Sequence, residues 1–276
     1  MNLTEAVTEI EKTAADRSQP EEGDYWKDGL LYCHKCNTPK QKEIRGHFYP
    51  CMCKCAVENK KQREAEKQRQ EFMDRIKRLR KMGFQDSEMS KWTFDNDDKS
   101  NAELSKIARN YVDHFQEFRK MGKGLLLFGA VGSGKTYMAA CIANALIDKA
   151  YACLVTNFPR LVNTLQGMYQ GKQEYIDGLN QFDLLVVDDL AAERDTEYMN
   201  EIIENIIDAR YRAVLPLIVT TNLTRMQIYN PDDIRKQRTY SRLLEMCYPY
   251  QVKNSDRRKD IALADRSDVE TLLGLR

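Results

Sequence analysis

Short runs of consecutive apolar residues alternate with stretches of helical spacing over the second half of the chain. Such runs lie at residues 125–128 and 184–187 and within 215–222, and two further strands are predicted at residues 151–156 and 248–253. Consecutive apolar residues predict strands that are buried on both faces, as in a parallel sheet. Between them, residues 137–149, 159–168 and 197–211 have the apolar spacing of helices. This alternation predicts an α/β fold with a parallel sheet and right-handed crossovers.

The chain from residue 56 to residue 82 is polar and basic and contains neither glycine nor proline. That composition predicts one long helix, and Phe72, Ile76 and Leu79 fall at helical spacing within it. A solvated connecting helix is one interpretation of the charge. Contact with the phosphates of DNA is the other, because lysine and arginine outnumber the acids.

A capping box, Ser100-x-x-Glu103, marks the start of the α/β part and predicts a helix that runs to about residue 118. We therefore divide the chain into three parts. They are a small N-terminal module (residues 1–55), a basic helical linker (56–99) and an α/β domain (100–276).

Composition excludes few function classes in this chain of 276 residues. The formal net charge is +1, so the overall charge names no partner. No apolar run approaches the roughly 18 residues that span a bilayer, and the N-terminus lacks the pattern of a signal peptide. We expect a cytoplasmic, reducing location without a membrane, where the eight cysteines do not form structural disulfides.

Five of the eight cysteines lie close together: Cys33, Cys36, Cys51, Cys53 and Cys55. Thiolates at such spacing predict a structural, tetrahedral Zn²⁺ site in a segment with almost no apolar core. The first two cysteines are joined by two of the last three, with Cys53 and Cys55 the favoured pair. His34 and His47 are weaker candidates. An iron–sulfur cluster and separate free thiols are the alternatives.

A glycine-rich motif, GAVGSGKT, follows the run at residues 125–128 and precedes a predicted helix. Its residues are Gly129, Ala130, Val131, Gly132, Ser133, Gly134, Lys135 and Thr136. Backbone N–H groups in such a loop surround the phosphates of a nucleotide, and the following helix N-terminus favours negative charge. Lys135 is expected to bind the β- and γ-phosphates and Thr136 to bind Mg²⁺. The motif therefore predicts an ATP site.

Two further apolar runs end in polar side chains that can complete such a site. Asp188 and Asp189 end one run, and carboxylates at the C-terminal end of a central strand face the ligand crevice. Asp188 is expected to hold Mg²⁺, and Asp189 to orient or deprotonate the attacking water, with Glu193 as its rival. Asn222 ends the other run and is placed to hydrogen-bond the water or the γ-phosphate.

Arginines in the last third of the chain occur in pairs. Arg238 and Arg242 share one face of a predicted helix, and Arg257 and Arg258 follow the run at residues 248–253. A guanidinium can neutralise charge on a γ-phosphate, within the chain or from a neighbouring subunit, and surface ion pairing is the alternative. Trp92, in an aromatic segment before the α/β domain, either packs on that domain or lies near the adenine.

Five segments taken in order resemble one known family. They are GAVGSGKT, LLVVDDLAAERDTEY, IIDARY, LIVTTNL and RTYSRLLEMC, and they are similar to the DnaC/IstB-type ATPases of the AAA+ superfamily. The resemblance covers roughly residues 80–262. It implies an AAA+ P-loop ATPase fold, in which the parallel sheet is flanked by helices. The usual glycine after DDL is Ala191 here, which keeps the turn small.

The resemblance also implies roles for individual residues. Asp188 is the metal-binding acid and Asp189 the catalytic one, and Asn222 matches the polar sensor. Arg238 matches the arginine finger, with Arg242 its close rival, and Arg258 or Arg257 matches the second sensor.

Finally, the resemblance implies partners. The cysteine segment and basic helix resemble the N-terminal region of helicase loaders of Gram-positive bacteria and their phages. It therefore implies binding of a hexameric replicative helicase through this region, binding of single-stranded DNA through the AAA+ domain, and self-association or a mixed assembly through the arginine finger. The first alternative is an IstB-like transposition helper that binds duplex DNA and a transposase. The second is an adaptor that scarcely hydrolyses nucleotide.

Overall fold

The computed structural model describes residues 20–190, 196–253, 256, 266 and 269–275. It forms two compact units, Met1–Met73 and Asp74–Arg276. The second unit begins within the segment that the sequence assigns to a linker, and the division at residues 55 and 99 stays a prediction. Each helix in the described part of the chain is too short or too polar to cross a bilayer.

The first unit is built from two antiparallel hairpins. Strand β1 (Tyr25–Lys27) pairs with β2 (Leu30–Tyr32), and β3 (Gln41–Ile44) pairs with β4 (His47–Pro50). Their turns carry Asp28-Gly29 and Arg45-Gly46, all four residues with positive φ, as two-residue hairpin turns require. Among the described residues of this unit, the buried apolar side chains are Leu31, Cys33 and Cys53. So small a core does not stabilise a domain by itself.

A single helix, α1 (Lys54–Gly83), occupies the predicted basic stretch and confirms it as helical. Most of its side chains are exposed. Phe72 is 46% exposed, whereas Ile76 is buried in an apolar cluster of the second unit and Leu79 packs against that cluster. The apolar face of the helix therefore begins at Ile76, and the part before it has the exposure of a solvated helix.

The second unit contains the predicted parallel sheet. Its strands are β5 (Gly124–Gly129), β6 (Cys153–Asn157), β7 (Leu184–Leu190), β8 (Leu217–Thr221) and β9 (Cys247–Val252). They lie in the order β6-β7-β8-β5-β9, and every neighbouring pair is parallel. The C-terminal ends of β5, β7 and β8 therefore meet at one edge of the sheet.

Helices cover both faces of this sheet. They are α2 (Ala102–Asp113), α3 (Phe115–Met121), α4 (Lys135–Asp148), α5 (Phe158–Gln166), α6 (Lys172–Gly178), α7 (Glu197–Arg212), α8 (Arg225–Tyr229) and α9 (Ile234–Met246). Along β5, Leu126 and Phe128 join one apolar cluster with α5, α7 and α9. Leu125 and Leu127 join the other, with α2 and α4. This two-sided burial explains why the strands appear in the sequence as continuous apolar runs.

The helix after the capping box differs from its prediction at both ends. Asn101, rather than Ser100, is the N-cap of α2, and its side chain accepts a hydrogen bond from the N–H of Leu104 at 3.0 Å. The N–H of Ser100 instead donates to Asp98. The helix stops at Asp113, and α3 starts one residue after His114, so the predicted continuous helix to residue 118 is wrong.

A fully buried arginine on α7 ties the sheet together at its other edge. Arg210 donates to the backbone carbonyls of Leu179, Phe182 and Pro216, which lie ahead of β7 and β8. Burial lowers the pKa of Arg210 to about 10. Within the described residues, three carbonyls thus stabilise a cation that has no carboxylate bonded to it.

Candidate functional site

The glycine-rich loop joins the end of β5 to the start of α4. Gly129, Gly132 and Gly134 all have positive φ, and Gly134 is the N-cap of α4. A Cβ added to Gly129 would lie 2.5 Å from the carbonyl oxygen of Val252, and one added to Gly132 would lie 1.8 Å from Oδ1 of Asp256. These positions therefore need glycine for their conformation and for space. The first turn of α4 offers N–H groups to an anion.

Lys135 is buried beneath this loop and holds it together. Its Nζ donates to the carbonyls of Gly129 at 3.0 Å and Ala130 at 2.7 Å, and it lies 3.4 Å from Oγ of Ser133. It also donates to Oδ1 of Asn222 at 2.8 Å. The structure thus brings the polar end of β8 to the loop lysine, 87 positions away in the sequence.

Asp188 is the last of five consecutive buried residues of β7 and meets the other end of the loop. Its Oδ1 accepts a hydrogen bond from Oγ1 of Thr136 at 2.7 Å and another from Oγ1 of Thr220. Burial raises the pKa of Asp188, while the two hydroxyls oppose that effect. Hydroxyl and carboxylate oxygens are the ligands that Mg²⁺ prefers. Thr136 and Asp188 therefore fit a Mg²⁺ ion, and Thr220 orients the carboxylate.

Asp189 occupies a special position in the strand. Its φ is +57°, and the pairing between β7 and β8 shifts register between Val187 and Leu190. The N–H of Asp189 donates to Oγ1 of Thr220 at 3.1 Å. Positive φ at a residue other than glycine is a strained conformation that concentrates at functional sites, and aspartate tolerates it better than most residues.

These groups surround one cavity of about 480 Å³. It is lined by Met89, Trp92, Val131, Gly132, Ser133, Gly134, Lys135, Thr136, Tyr137, Asp188, Asp189 and Asn222. Polar groups from three strand ends thus share a cavity with Met89 and Trp92, which precede the sheet in the sequence. Trp92 packs on the α/β domain, as one of its two alternatives predicts, and it also lines the cavity, while its place near an adenine stays a prediction.

The predicted arginines lie elsewhere. Arg238 and Arg242 share one face of α9 and line a shallow surface depression of about 530 Å³ with Ile234, Gln237 and Ser241. Arg242 forms ion pairs with Asp208 at 3.0 Å and Glu204 at 3.7 Å, whereas the side chain of Arg238 is exposed. Neither lines the cavity of its own chain. Four other predicted positions, Ala191, Glu193, Arg257 and Arg258, lie outside the described residues.

In the first unit, four cysteine thiols converge. The Sγ atoms of Cys33, Cys36, Cys53 and Cys55 all lie within 4.8 Å of one another. Cys51 is not part of this cluster, and its thiol donates to the carbonyl of Pro39 at 3.6 Å. The two histidines are also outside the cluster. His34 hydrogen-bonds Asp24, and His47 is exposed on β4.

The geometry and chemistry of this cysteine cluster fit zinc. Sγ of Cys55 lies 3.6 Å from that of Cys33 and 3.4 Å from that of Cys53. A tetrahedron with zinc–sulfur bonds of about 2.3 Å has edges of about 3.8 Å. The hydroxyl of Thr38 lowers the pKa of Cys36 to about 5, whereas the neighbouring thiols Cys53, Cys36 and Cys33 raise that of Cys55 to about 12. Four thiolates therefore need a cation between them.

Residues 54–263 match the family model described as IstB-like ATP binding protein. The chain is 30% identical over 147 residues to the replicative helicase loader DnaI of Bacillus subtilis (strain 168), a match that covers 52% of this chain and 45% of the relative. It is 36% identical over 103 residues to a putative insertion sequence ATP-binding protein of Sinorhizobium fredii (strain NBRC 101917 / NGR234), which covers 37% of this chain and 34% of that protein. The matches thus span less than half the length of these relatives.

The fold is similar to a crystal structure of DnaI, with a TM-score of 0.53 and 26% identity. That similarity covers 62% of this chain and 96% of the solved chain.

Proposed function

Because the chain belongs to the family of IstB-like ATP binding proteins, we propose that it is an ATP-dependent loader of a hexameric replicative helicase onto DNA. The convergence of Lys135, Thr136, Asp188 and Asn222 on one cavity supports ATP binding and hydrolysis. The similarity to the helicase loader DnaI supports the choice of a loader. ATP acts as a switch between two states of a loader, and hydrolysis resets it.

Residues of this chain divide the work at the phosphates. The loop N–H groups and Lys135 bind them, and Thr136 and Asp188 would hold Mg²⁺, which would neutralise charge on the phosphates. Asp189 orients the attacking water and accepts its proton. Asn222 hydrogen-bonds that water or the γ-phosphate. The role of second sensor goes to Arg258, or to Arg257, on the resemblance alone, because both lie outside the described residues.

An important contact must change when the nucleotide arrives. Lys135 donates hydrogen bonds to the carbonyls of Gly129 and Ala130 and to the side chain of Asn222. A γ-phosphate replaces some of these partners, because a charge-assisted bond from an ammonium to phosphate is stronger than one to an amide. Asn222 is then released to act on the water, which links nucleotide binding to the end of β8.

Arg238 supplies the finger from a neighbouring subunit. Its side chain is exposed and does not line the cavity of its own chain, whereas Arg242 is ion-paired to α7. The test mixes Arg238→Ala and Lys135→Ala chains, each inactive alone. Restored ATP hydrolysis in the mixture is expected, and a mixture that stays inactive would show that the finger does not act between subunits.

The first unit carries the helicase contact, and the zinc held by Cys33, Cys36, Cys53 and Cys55 keeps it folded. The full chain should co-elute with the replicative helicase from the same source on a sizing column. The experiment is run with ATP and without ATP. A Cys53→Ser chain should lose the complex while a Cys51→Ser chain keeps it. No complex in either nucleotide state would reject the loader.

A transposition helper is the second candidate, favoured by the 36% identity to a putative insertion sequence ATP-binding protein. It predicts tight, ATP-dependent binding to duplex DNA and a transposase partner. A loader prefers single-stranded DNA instead. Titration of both DNA forms with and without ATP therefore separates the two candidates.

A further inference from the structure

Met89 and Trp92, at the apolar side of the cavity, belong to a segment whose backbone is bonded by one buried side chain of α4. A short 3₁₀ helix (Met89–Lys91) leads into Trp92. Nδ2 of Asn144, on α4, donates to the carbonyls of Met89 at 3.0 Å and Trp92 at 2.8 Å. Asn144 is only 1% exposed. An amide buried this deeply is costly unless it is bonded, so its contacts define where the segment sits.

Arg80 orients this amide from the last turn of α1. It donates to Oδ1 of Asn144 at 3.1 Å and forms an ion pair with Asp148. A guanidinium can only donate, so it must face the oxygen of the amide. The nitrogen is then left to face the two carbonyls, and the orientation of Asn144 is set by chemistry.

Helix α4 contacts this segment a second time through Tyr137, which is the first residue after the phosphate motif. The hydroxyl of Tyr137 donates to the carbonyl of Thr93 at 3.0 Å, and its ring lies 5.7 Å from that of Trp92. Helix α4 thus carries the phosphate-binding groups at its start and fixes the apolar wall from its side. Any shift of the wall changes the distance between the phosphate subsite and the wall.

We propose that Asn144 is the positioning residue of a purine-binding wall formed by Met89 and Trp92, with Arg80 as the residue that orients it. This inference rests on the ATP binding proposed above and deepens it, because it names the two residues that hold the wall in place. The base lies on the ring of Trp92. This contact strengthens the binding of ATP but not that of tripolyphosphate, which has no base. A base–aromatic contact of this kind changes affinity by about tenfold or more.

The chain contains two tryptophans, Trp26 and Trp92, so a Trp26→Phe chain reports on Trp92 alone. We expect ATP to change the fluorescence of this chain and inorganic tripolyphosphate, with Mg²⁺ present, to leave it unchanged. Binding of both ligands is measured in parallel by calorimetry. ATP binding without any change in fluorescence would overturn the proposal.

Asn144→Asp tests the positioning role. Aspartate still accepts a hydrogen bond from Arg80, but it has no donor for the two carbonyls and repels them. The affinity for ATP should fall about tenfold, with that for tripolyphosphate unchanged, whereas the exposed control Asn110→Asp should change neither. A purely structural role would lower both affinities together and would overturn the proposal.

A second pair of variants avoids the risk that Asn144→Asp disturbs folding. Trp92→Ala should lose the ATP-specific affinity, and Trp92→Phe should restore most of it. Equal affinities for Trp92→Ala and the unmodified chain would also overturn the proposal. Lys135→Ala separates the phosphate site from the base wall, because it should weaken the binding of ATP and of tripolyphosphate alike. An unmodified chain that binds neither ligand overturns the proposed ATPase as well, whereas a chain that binds both equally well overturns the base wall alone.

Discussion

The two units of this protein each present a candidate site, but different forces hold the two sites in place. In the second unit, the cavity lies at the edge of a five-stranded sheet whose two faces are both covered by buried apolar side chains. In the first unit, both hairpins expose large apolar residues, with Trp26 63% and Phe48 53% exposed. Burial of apolar surface is the main driving force for folding, and the first unit has little of it.

This difference teaches which event comes first in each unit. The phosphate loop is held by a sheet whose two faces are covered by buried apolar side chains, so we expect the ATP site to form before ATP binds. The four thiols of the cysteine cluster lie on two separate segments of the first unit, and we propose that a cation between them supplies the stability that the core lacks. Ligand removal should therefore empty the one site and unfold the other.

The largest effect is expected from Cys53→Ser, which removes one ligand of the proposed zinc site. Structural zinc contributes on the order of 10 kcal/mol to the folding of small domains. We expect zinc content to fall from one ion per chain to none. Residues 20–53 should become open to proteolysis, while ATP binding by the second unit persists.

Cys51→Ser is the matched control, because this thiol lies outside the cysteine cluster. It should keep its zinc and its resistance to proteolysis. If purified protein prepared without chelator contains no zinc, or if the two variants behave alike, then zinc does not stabilise the first unit and the proposed difference between the units is contradicted.

The next effect is expected in the second unit, from Arg210→Met. The substitution removes three hydrogen bonds from the guanidinium, although the carbonyls of Leu179 and Pro216 keep backbone N–H donors at 3.3 Å and 3.5 Å. A hydrogen bond to a charged group contributes about 1.5–3 kcal/mol, so we expect a loss of about 4 kcal/mol in the free energy of unfolding, since removal of the buried charge offsets part of the cost. Denaturant titration measures it, with zinc content unchanged.

Arg212→Ala serves as the control two positions away. Arg212 is largely exposed and pairs with Asp208 on the same helix, so its loss should cost less than about 1 kcal/mol. Equal losses from the two variants would show that the carbonyl contacts do not stabilise the sheet.

Local patterns predicted much of this molecule, and contacts between distant residues explain what they did not predict. The strands and the four inward isoleucines of α7 follow from apolar spacing, and the phosphate loop follows from its glycines. The roles of Thr220, Arg210 and Asn144 were not predicted. Thr220 meets Asp188 across 32 positions and Arg80 meets Asn144 across 64, so no local pattern marks them. The threonine pair before Asn222 was the one available signal for Thr220.

A third prediction concerns the ligand of the second unit. Lys135→Ala removes the ammonium group that we expect to bind the phosphates, at a cost of about 3 kcal/mol or about 100-fold in ATP affinity. The fold should persist because the sheet does not depend on this contact. Titration with a fluorescent ATP analogue measures the affinity.

The control is Lys149→Ala, at the other end of α4, whose ammonium contacts Val112 and Asp113. Its ATP affinity should be unchanged. If Lys135→Ala unfolds the second unit, then the fold of this unit depends on its ligand-binding residues, as that of the first unit depends on its cysteines.

The smallest effect is expected from Asn101→Ala at the start of α2. The side chain of Asn101 accepts the N–H of Leu104, and loss of such a cap costs about 1 kcal/mol. Ser100→Ala should cost almost nothing, because the N–H of Ser100 rather than its side chain bonds Asp98. Denaturant titration of both variants compares the observed cap with the one that the Ser-x-x-Glu spacing predicts. Neither variant should change zinc content, since α2 packs in the apolar layer of the second unit. A larger loss from Ser100→Ala than from Asn101→Ala would restore the predicted capping box.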